Sequence, residues 1–368
     1  MKIAVNATAW YRGAAGIGRY SWNLAHSLAE CALDHELVVL VREGTDFQYN
    51  GDPRVQTVAC RPTGPLWEQF QVPTICERRG VDVYHTPLFI APVARTCAQV
   101  VTIHDVIPEK FPDHTPPDFM RLHRRFIGPS LRAADAVATV SHHSKRDVVE
   151  TMGVPQEDVH VVHQALSEQF NSRTAREDRD RVRRKLGLSF PFVLYVGSLE
   201  PRKRAFEVIE SLSLAEGRER DLHMVIAGRP LFKEYDPEAY AERCGMRNRV
   251  HYLGYVDDED LPGLYGAAEL LVFPSAYEGF GLPIVEAMAC GCPVVSAEGS
   301  SLPEAGGEAA VYADPEDPEA FLEAILGPIR DPDAREERVQ KGVDHAASFT
   351  RERFARELTA AYRKAVSA

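Results

Sequence analysis

No apolar run in the 368-residue sequence approaches the roughly 20 residues that a membrane-spanning helix needs, so no transmembrane segment is expected. Positive charge is also in short supply: 42 Lys and Arg stand against 54 Asp and Glu, a formal charge of −12. Proteins that grip phosphate backbones need the opposite balance, and no nucleic-acid partner is expected. Cysteines are few, odd in number at seven, and scattered. Cys290 and Cys292 are too close for the usual zinc pairing, and the pattern suits a reducing compartment rather than a disulfide framework. Met1–Ala7 reads as a first β-strand and not as a signal peptide, which places the expected protein in the cytoplasm. There is no internal repeat beyond a general strand–helix rhythm, and no low-complexity stretch.

The composition that remains, 45% apolar and 26% charged with the charges interspersed, is that of a globular chain long enough for two domains. Short β-rich runs at Lys2–Ala7, Glu36–Val41, Val55–Cys60, Val81–His85, Gln99–His104, Ala136–Val140 and Val159–His163 alternate with segments of helical period. That alternation predicts βαβ units and a parallel sheet. After Ala165 comes a highly charged stretch, Arg173–Lys185, read as a surface helix between domains. A second strand series then begins: Phe192–Gly197, His223–Gly228, Arg249–Gly254, Leu270–Pro274, Pro293–Ser296 and Ala309–Tyr312. Ligands of doubly wound sheets bind beyond the carboxyl ends of strands, where Gly16, Gly18, His104, Gly197–Lys203 and Glu278 all fall.

The most informative segment is Ser275-Ala-Tyr-Glu-Gly-Phe-Gly-Leu-Pro-Ile-Val-Glu286, a glycine-rich turn leading from a strand into a helix. Pro283 suits the first helical turn, and Leu282 before it offers no capping side chain. The N–H groups of Phe280, Gly281, Leu282, Ile284 and Val285 are therefore expected to be open to an anion, which the helix dipole also favours. Glu278 and Glu286 flank this mouth and suit hydroxyl groups rather than phosphate. Such a site describes a ligand that is both sugar and diphosphate. Gly197-Ser-Leu-Glu-Pro-Arg-Lys203 brings adjacent cations to a helix start, where they oppose the dipole but would stabilise a departing diphosphate. His104 ends an apolar strand, where a structural histidine and a functional one are both tenable. The loop Arg12–Arg19 has the glycine spacing of a phosphate-binding turn without its Lys-Ser/Thr ending. Asp257-Asp-Glu-Asp260 precedes Leu261–Tyr265 and reads as caps on a short helix, so no metal is expected there. Phe119–Ile127 mixes Arg121, Arg124 and Arg125 with bulky apolar residues; it suits a membrane surface or, more simply, packing on its own domain.

These segments together resemble glycosyltransferase family 4, over nearly the whole chain. The Glu-x7-Glu motif falls on Glu278 and Glu286, the glycine-rich amino-terminal loop on Gly16, the strand-end histidine on His104 and the basic pair on Arg202 and Lys203. Ile17–Tyr20, Thr102–Asp105 and Val140–Arg146 look most like the bacterial mannosyltransferase branch that builds surface polysaccharides. The resemblance implies an α/β GT-B fold, two facing Rossmann-like doubly wound domains with a cleft between them. Its expected divisions are an acceptor-side domain at 1–170, a nucleotide-sugar domain at 171–348, and a terminal helix at 349–368 crossing back to the first domain. It implies retaining transfer of a hexosyl group, foremost mannose from GDP-mannose, to a glycan or lipid-linked acceptor. No cofactor or metal is required, and peripheral membrane contact is compatible with it. A UDP-sugar donor, or an epimerase or hydrolase on the same fold, is the alternative.

The implied roles are specific. Glu286 would hold the ribose, and Glu278 the donor sugar, with Gly279, Phe280, Gly281 and Leu282 lining sugar and phosphate. Arg202 and Lys203 would neutralise the departing diphosphate beside Gly197. Tyr255 and Val256 would meet the base, and His104 would reach the sugar from the other domain. Ser198 departs from the family pattern, in which some members carry Arg, and this throws more of the charge onto Arg202 and Lys203.

Overall fold

The computed structural model describes residues 1–11, 16–45, 47, 49, 51–61, 64–232 and 234–368. The chain forms two compact units, one of Met1–Ala165 with Phe349–Ala368 and the other of Leu166–Ser348.

The first unit carries β1 (Lys2–Asn6), β2 (Glu36–Arg42), β3 (Val55–Cys60), β4 (Val83–Thr86), β5 (Ala98–Ile103), β6 (Ala136–Thr139) and β7 (Val159–Val161). They pair in the order β3-β2-β1-β4-β5-β6-β7, parallel throughout. A sheet covered by helices on both faces needs continuous apolar strands, and Leu37–Val41 are all buried. The helix Arg351–Ser367 starts at Thr350, whose hydroxyl accepts from the Arg353 N–H. Phe354, Leu358 and Tyr362, spaced four apart, form its wholly buried stripe against the helix Ile17–Cys31 and the sheet. Each such side chain contributes about 1.5–3 kcal/mol by leaving water.

The second unit carries β8 (Phe192–Val196), β9 (His223–Ala227), β10 (Val250–Gly254), β11 (Leu270–Phe273), β12 (Val294–Ser296) and β13 (Val311–Tyr312), all parallel in the order β10-β9-β8-β11-β12-β13. Strand order reverses between β8 and β11, and in the first unit between β1 and β4. Both sheets are Rossmann-like, and every strand run read from the sequence is present with its ends within two residues.

The charged helix needs correction. Ser172–Leu186 does not merely bridge domains: it belongs to the second unit and buries Ala175 and Val182 against the helix Leu261–Ala267. The contact is close enough that a Cβ on Gly263 would lie 2.6 Å from Val182, and one on Gly266 2.6 Å from the Ala175 carbonyl oxygen. The capping role read for the acids is corrected at Asp260. Its carboxylate does not cap Leu261–Ala267; it is buried and takes Arg181 at 2.6 Å together with Lys185. The charged face thus locks the two helices together.

Candidate active site

The loops leaving β8 and β11 lie at the switch point of the second unit and bring most of the candidate residues together. Gly197 ends β8 with its N–H bonded to the Ala227 carbonyl at 3.0 Å. A Cβ on Gly228, at the end of β9, would lie 1.7 Å from the Gly197 carbonyl oxygen, so this approach of two strand ends requires glycine there. The Gly228 N–H in turn bonds the Gly254 carbonyl at 2.7 Å, tying the end of β10 into the same edge.

Beyond Gly197 the chain makes one tight turn, Pro201–Lys203, and Lys203 comes back over the end of β11. Its ammonium is 2.7 Å from Glu278 Oε1 and 5.5 Å from the centre of the Phe273 ring. Both side chains of the pair are 13% exposed. Burial pushes the Glu278 carboxyl up, but Lys203 and Arg202 outweigh it and hold the group below the usual glutamate range.

Arg202 stands differently from its neighbour. It is 6% exposed, and its guanidinium donates to Glu200 Oε1 at 2.7 Å and to the Tyr277 carbonyl, with Glu278 at 3.3 Å. Its own carbonyl accepts from the Ala276 N–H at 2.9 Å. Arg202 therefore fastens the β8 loop to the β11 loop. Ser198, where an Arg would be the family alternative, donates to the same Glu200 oxygen at 3.0 Å.

Glu286 lies in the helix Leu282–Ala289, is 2% exposed, and accepts from the Tyr265 hydroxyl at 3.0 Å. That helix has no side-chain cap. One amide expected to be open is engaged: the Ile284 N–H bonds the Gly281 carbonyl at 3.0 Å in a tight first turn, which corrects that part of the sequence reading. Gly281 has φ +110, and a Cβ there would crowd Leu302 and Ala305, so the turn into the helix depends on glycine. Gly279, Phe280 and Leu282 complete this turn. The backbone of Glu278 is held by Ser300 and Ser301 from the loop after β12. Tyr255 and Val256 follow β10; the Tyr255 ring is partly exposed with the Arg229 guanidinium carbon 4.9 Å from its centre, and Val256 is buried.

Two candidates belong to the first unit. Gly16 precedes the helix Ile17–Cys31 at φ +53; Arg12–Ala15 of its loop lie outside the described residues. His104 follows β5, packs edge-on against Tyr20 at 4.6 Å between ring centres, and its Nε2 is 3.1 Å from the Pro87 carbonyl oxygen. Burial pulls its pKa down to about 4 against the opposing Pro87 hydrogen bond, so the ring is neutral at pH 7. Behind it, His85 joins Tyr362 at 2.6 Å and Thr102 at 2.7 Å in a buried network that the sequence did not disclose.

Gly228, Tyr265, Glu200, Ser300 and Ser301 likewise join the site without a motif of their own. Only Gly228 carried a usable signal, a glycine directly after an apolar strand in Ile226-Ala-Gly-Arg-Pro230. The rest meet their partners through the fold.

Two Rossmann-like units, the second with a Lys–Glu pair beside a helix start at its switch point, are the arrangement of a GT-B glycosyltransferase. The family model described as "Glycosyltransferase Family 4" matches residues 14–169, and "Glycosyl transferases group 1" matches 177–344. Among curated relatives, the O-antigen chain mannosyltransferase B of Escherichia coli is 34% identical over 283 residues, covering 76% of this chain and 74% of that protein. The D-inositol 3-phosphate glycosyltransferase of Corynebacterium glutamicum is 28% identical over 243 residues, which span 64% of this chain and 58% of that relative's length. Among solved structures, Anabaena HepE in complex with UDP-glucose superposes with TM-score 0.76 at 21% identity, covering 98% of both chains. The chain belongs to the family 4 glycosyltransferases.

Proposed function

We propose that this glycosyltransferase moves a mannosyl group from GDP-mannose to a glycan or lipid-linked acceptor in surface-polysaccharide synthesis, with retention at the anomeric carbon and without a metal. The observation that carries this reading is the Lys203–Glu278 pair beside the uncapped start of Leu282–Ala289. The choice of mannose is supported by the likeness to the E. coli mannosyltransferase.

In this reading Lys203 and the helix start stabilise the diphosphate as it leaves, a role that matters most where charge develops in the transition state. Arg202, beside Lys203 at Glu278, adds its charge to the same neutralisation and keeps the two loops in register. Glu278, its orientation fixed by Lys203, accepts from hydroxyls of the donor sugar, and Glu286, held by Tyr265, accepts from the ribose. Gly279, Phe280, Gly281 and Leu282 line the sugar and phosphate, Gly197 leaves room beside them, and Tyr255 and Val256 border the base. If His104 donates through Nε2 to Pro87, its Nδ1 is the acceptor available to a sugar hydroxyl, and Gly16 lets backbone approach closely. The acceptor hydroxyl passes its proton to the leaving phosphate oxygen on the face from which the diphosphate departs. No carboxylate nucleophile is needed, unlike in retaining glycosidases.

On the acceptor side, Trp10 and Trp22 stack with ring centres 3.8 Å apart beyond β1, half-exposed, an aromatic surface of the kind that sugar rings pack on. The helix Pro117–Ala133 exposes Phe119 and Leu122 beside Arg121, which pairs with Asp118, a mixture suited to peripheral contact with a lipid surface. No helix among the described residues is long and apolar enough to cross a membrane.

The test is turnover of GDP-mannose and UDP-glucose in chelator, with and without a mannosylated acceptor, with the product anomer read by NMR. GDP-mannose consumption that depends on acceptor and yields an α-linked product supports the proposal. A UDP-sugar preference changes the donor, and turnover without acceptor points to an epimerase or hydrolase.

A further inference from the structure

Among the described residues only two non-glycine positions adopt a left-handed backbone, Arg204 at φ +51 and Ser300 at φ +50. Each costs conformational free energy unless the surroundings impose it, and such strain gathers at functional sites. Each adjoins the backbone of one member of the Lys203–Glu278 pair. Arg204 directly follows Lys203, ends the turn that aims it, and is anchored through its guanidinium to Glu316. Ser300 lies 22 residues beyond Glu278 in sequence, yet its Oγ accepts from the Glu278 N–H at 3.0 Å.

The next residue completes the arrangement. Ser301 occupies the N-cap of the short helix Leu302–Gly306, where a serine hydroxyl would ordinarily accept from the helix's own first N–H groups. It makes no such bond. Its buried hydroxyl instead lies 2.9 Å from both the Glu278 and the Phe280 carbonyl oxygens, serving them as a shared donor. The helix forgoes its cap, and the loop after β11 is gripped from both sides of Glu278.

We propose that Ser300 and Ser301 are positioning residues that clamp the Glu278–Phe280 backbone in the geometry needed at the transition state, the strain at Ser300 being the consequence of aiming its hydroxyl. This rests on the nucleotide-sugar reading above. A mere packing role would make activity follow stability; the clamp predicts that the two separate. Ser300→Gly suits a left-handed backbone better and removes the hydroxyl together with the Cβ that this backbone disfavours, so its melting temperature should equal or exceed that of the wild type. Its kcat should nevertheless fall about tenfold, the equivalent of one lost hydrogen bond. GDP binding, which depends on Glu286, should be unchanged. Ser300→Asn tolerates the same backbone and offers an acceptor oxygen, and should restore most of the rate. Ser301→Thr should likewise retain activity that Ser301→Ala loses.

The experiment measures melting temperature, GDP affinity by calorimetry, and kcat with GDP-mannose for these four variants and the wild type. A stable Ser300→Gly that binds GDP normally but turns over slowly, with rescue in Ser300→Asn, is the expected result. Full turnover in Ser300→Gly, or losses that track melting temperature across the set, overturns the clamp alone. A wild type that binds no nucleotide overturns the underlying reading and the clamp with it.

Discussion

The Lys203–Glu278 pair allows the electrostatics of the site to be tested separately from its chemistry. At 2.7 Å and an effective dielectric of about 20, two unit charges attract by about 6 kcal/mol, against which the desolvation of both ions must be set. Removing one partner leaves the other charge poorly hydrated, at a cost of about 3–5 kcal/mol in well-buried pairs. Arg202 at 3.3 Å still compensates part of the carboxylate's charge, so Lys203→Met should cost about 2–3 kcal/mol of stability at pH 7.5. Replacing both, Lys203→Met with Glu278→Gln, removes the orphaned charge and should recover most of that loss. Urea unfolding of the wild type, both single variants and the double variant gives the coupling directly. Because the folded pKa of Glu278 is depressed, the stabilisation is present above the ordinary glutamate pKa of about 4.3 and disappears as pH falls through the lower folded value. All three variants should lose at least about a hundredfold in kcat. Additive stability losses in the double variant would refute the pairing, and near wild-type kcat in folded Lys203→Met would refute the role of Lys203 in the reaction.

Tyr265→Phe should weaken GDP binding about tenfold while leaving melting temperature within a few degrees, because it removes a donor to buried Glu286; calorimetry and a thermal melt decide this together. His104 has a folded pKa of about 4 against an unfolded value of about 6.5, so the unfolded chain takes up the proton first and stability falls as pH drops from 6.5 towards 4. Urea melts at pH 7.5, 6 and 5 should show His104→Gln lacking about 1.4 kcal/mol per pH unit of that acid sensitivity relative to the wild type. Gly228→Ala places a methyl 1.7 Å from the Gly197 carbonyl oxygen and should destabilise the second unit by about 3 kcal/mol or more, seen as a lowered thermal transition.

The sheets were legible because parallel strands buried on both faces must be apolar throughout, so that runs such as Leu37–Val41 and Phe192–Val196 stand out against their surroundings. Glu278, Glu286 and Lys203 were legible because glycine and proline mark the strand-to-helix turns that carry them. What escaped the sequence are residues whose role exists only through the fold. Tyr265 sits in Leu261-Pro-Gly-Leu-Tyr265, which reads as a short helix and nothing more until its hydroxyl is found on Glu286. Ser301 has the sequence signature of a helix cap and spends its hydroxyl elsewhere. Arg202 and Lys203 read as equivalent adjacent cations, yet Arg202 divides its guanidinium among Glu200, the Tyr277 carbonyl and Glu278 at 3.3 Å, while Lys203 pairs with Glu278 at 2.7 Å. The charged helix Ser172–Leu186 reads as a surface helix between domains because its few apolar residues, Ala175 and Val182, give little sign of tight packing onto the two glycines opposite them.

The most direct test of the central claim is calorimetric titration of the purified protein, in chelator, with GDP, UDP and ADP, and then with the sugar nucleotide of whichever binds. Saturable binding of GDP and GDP-mannose, weakened by Glu286→Ala, is the expected result. The absence of binding by all three nucleotides, or binding untouched by Glu286→Ala, would contradict it.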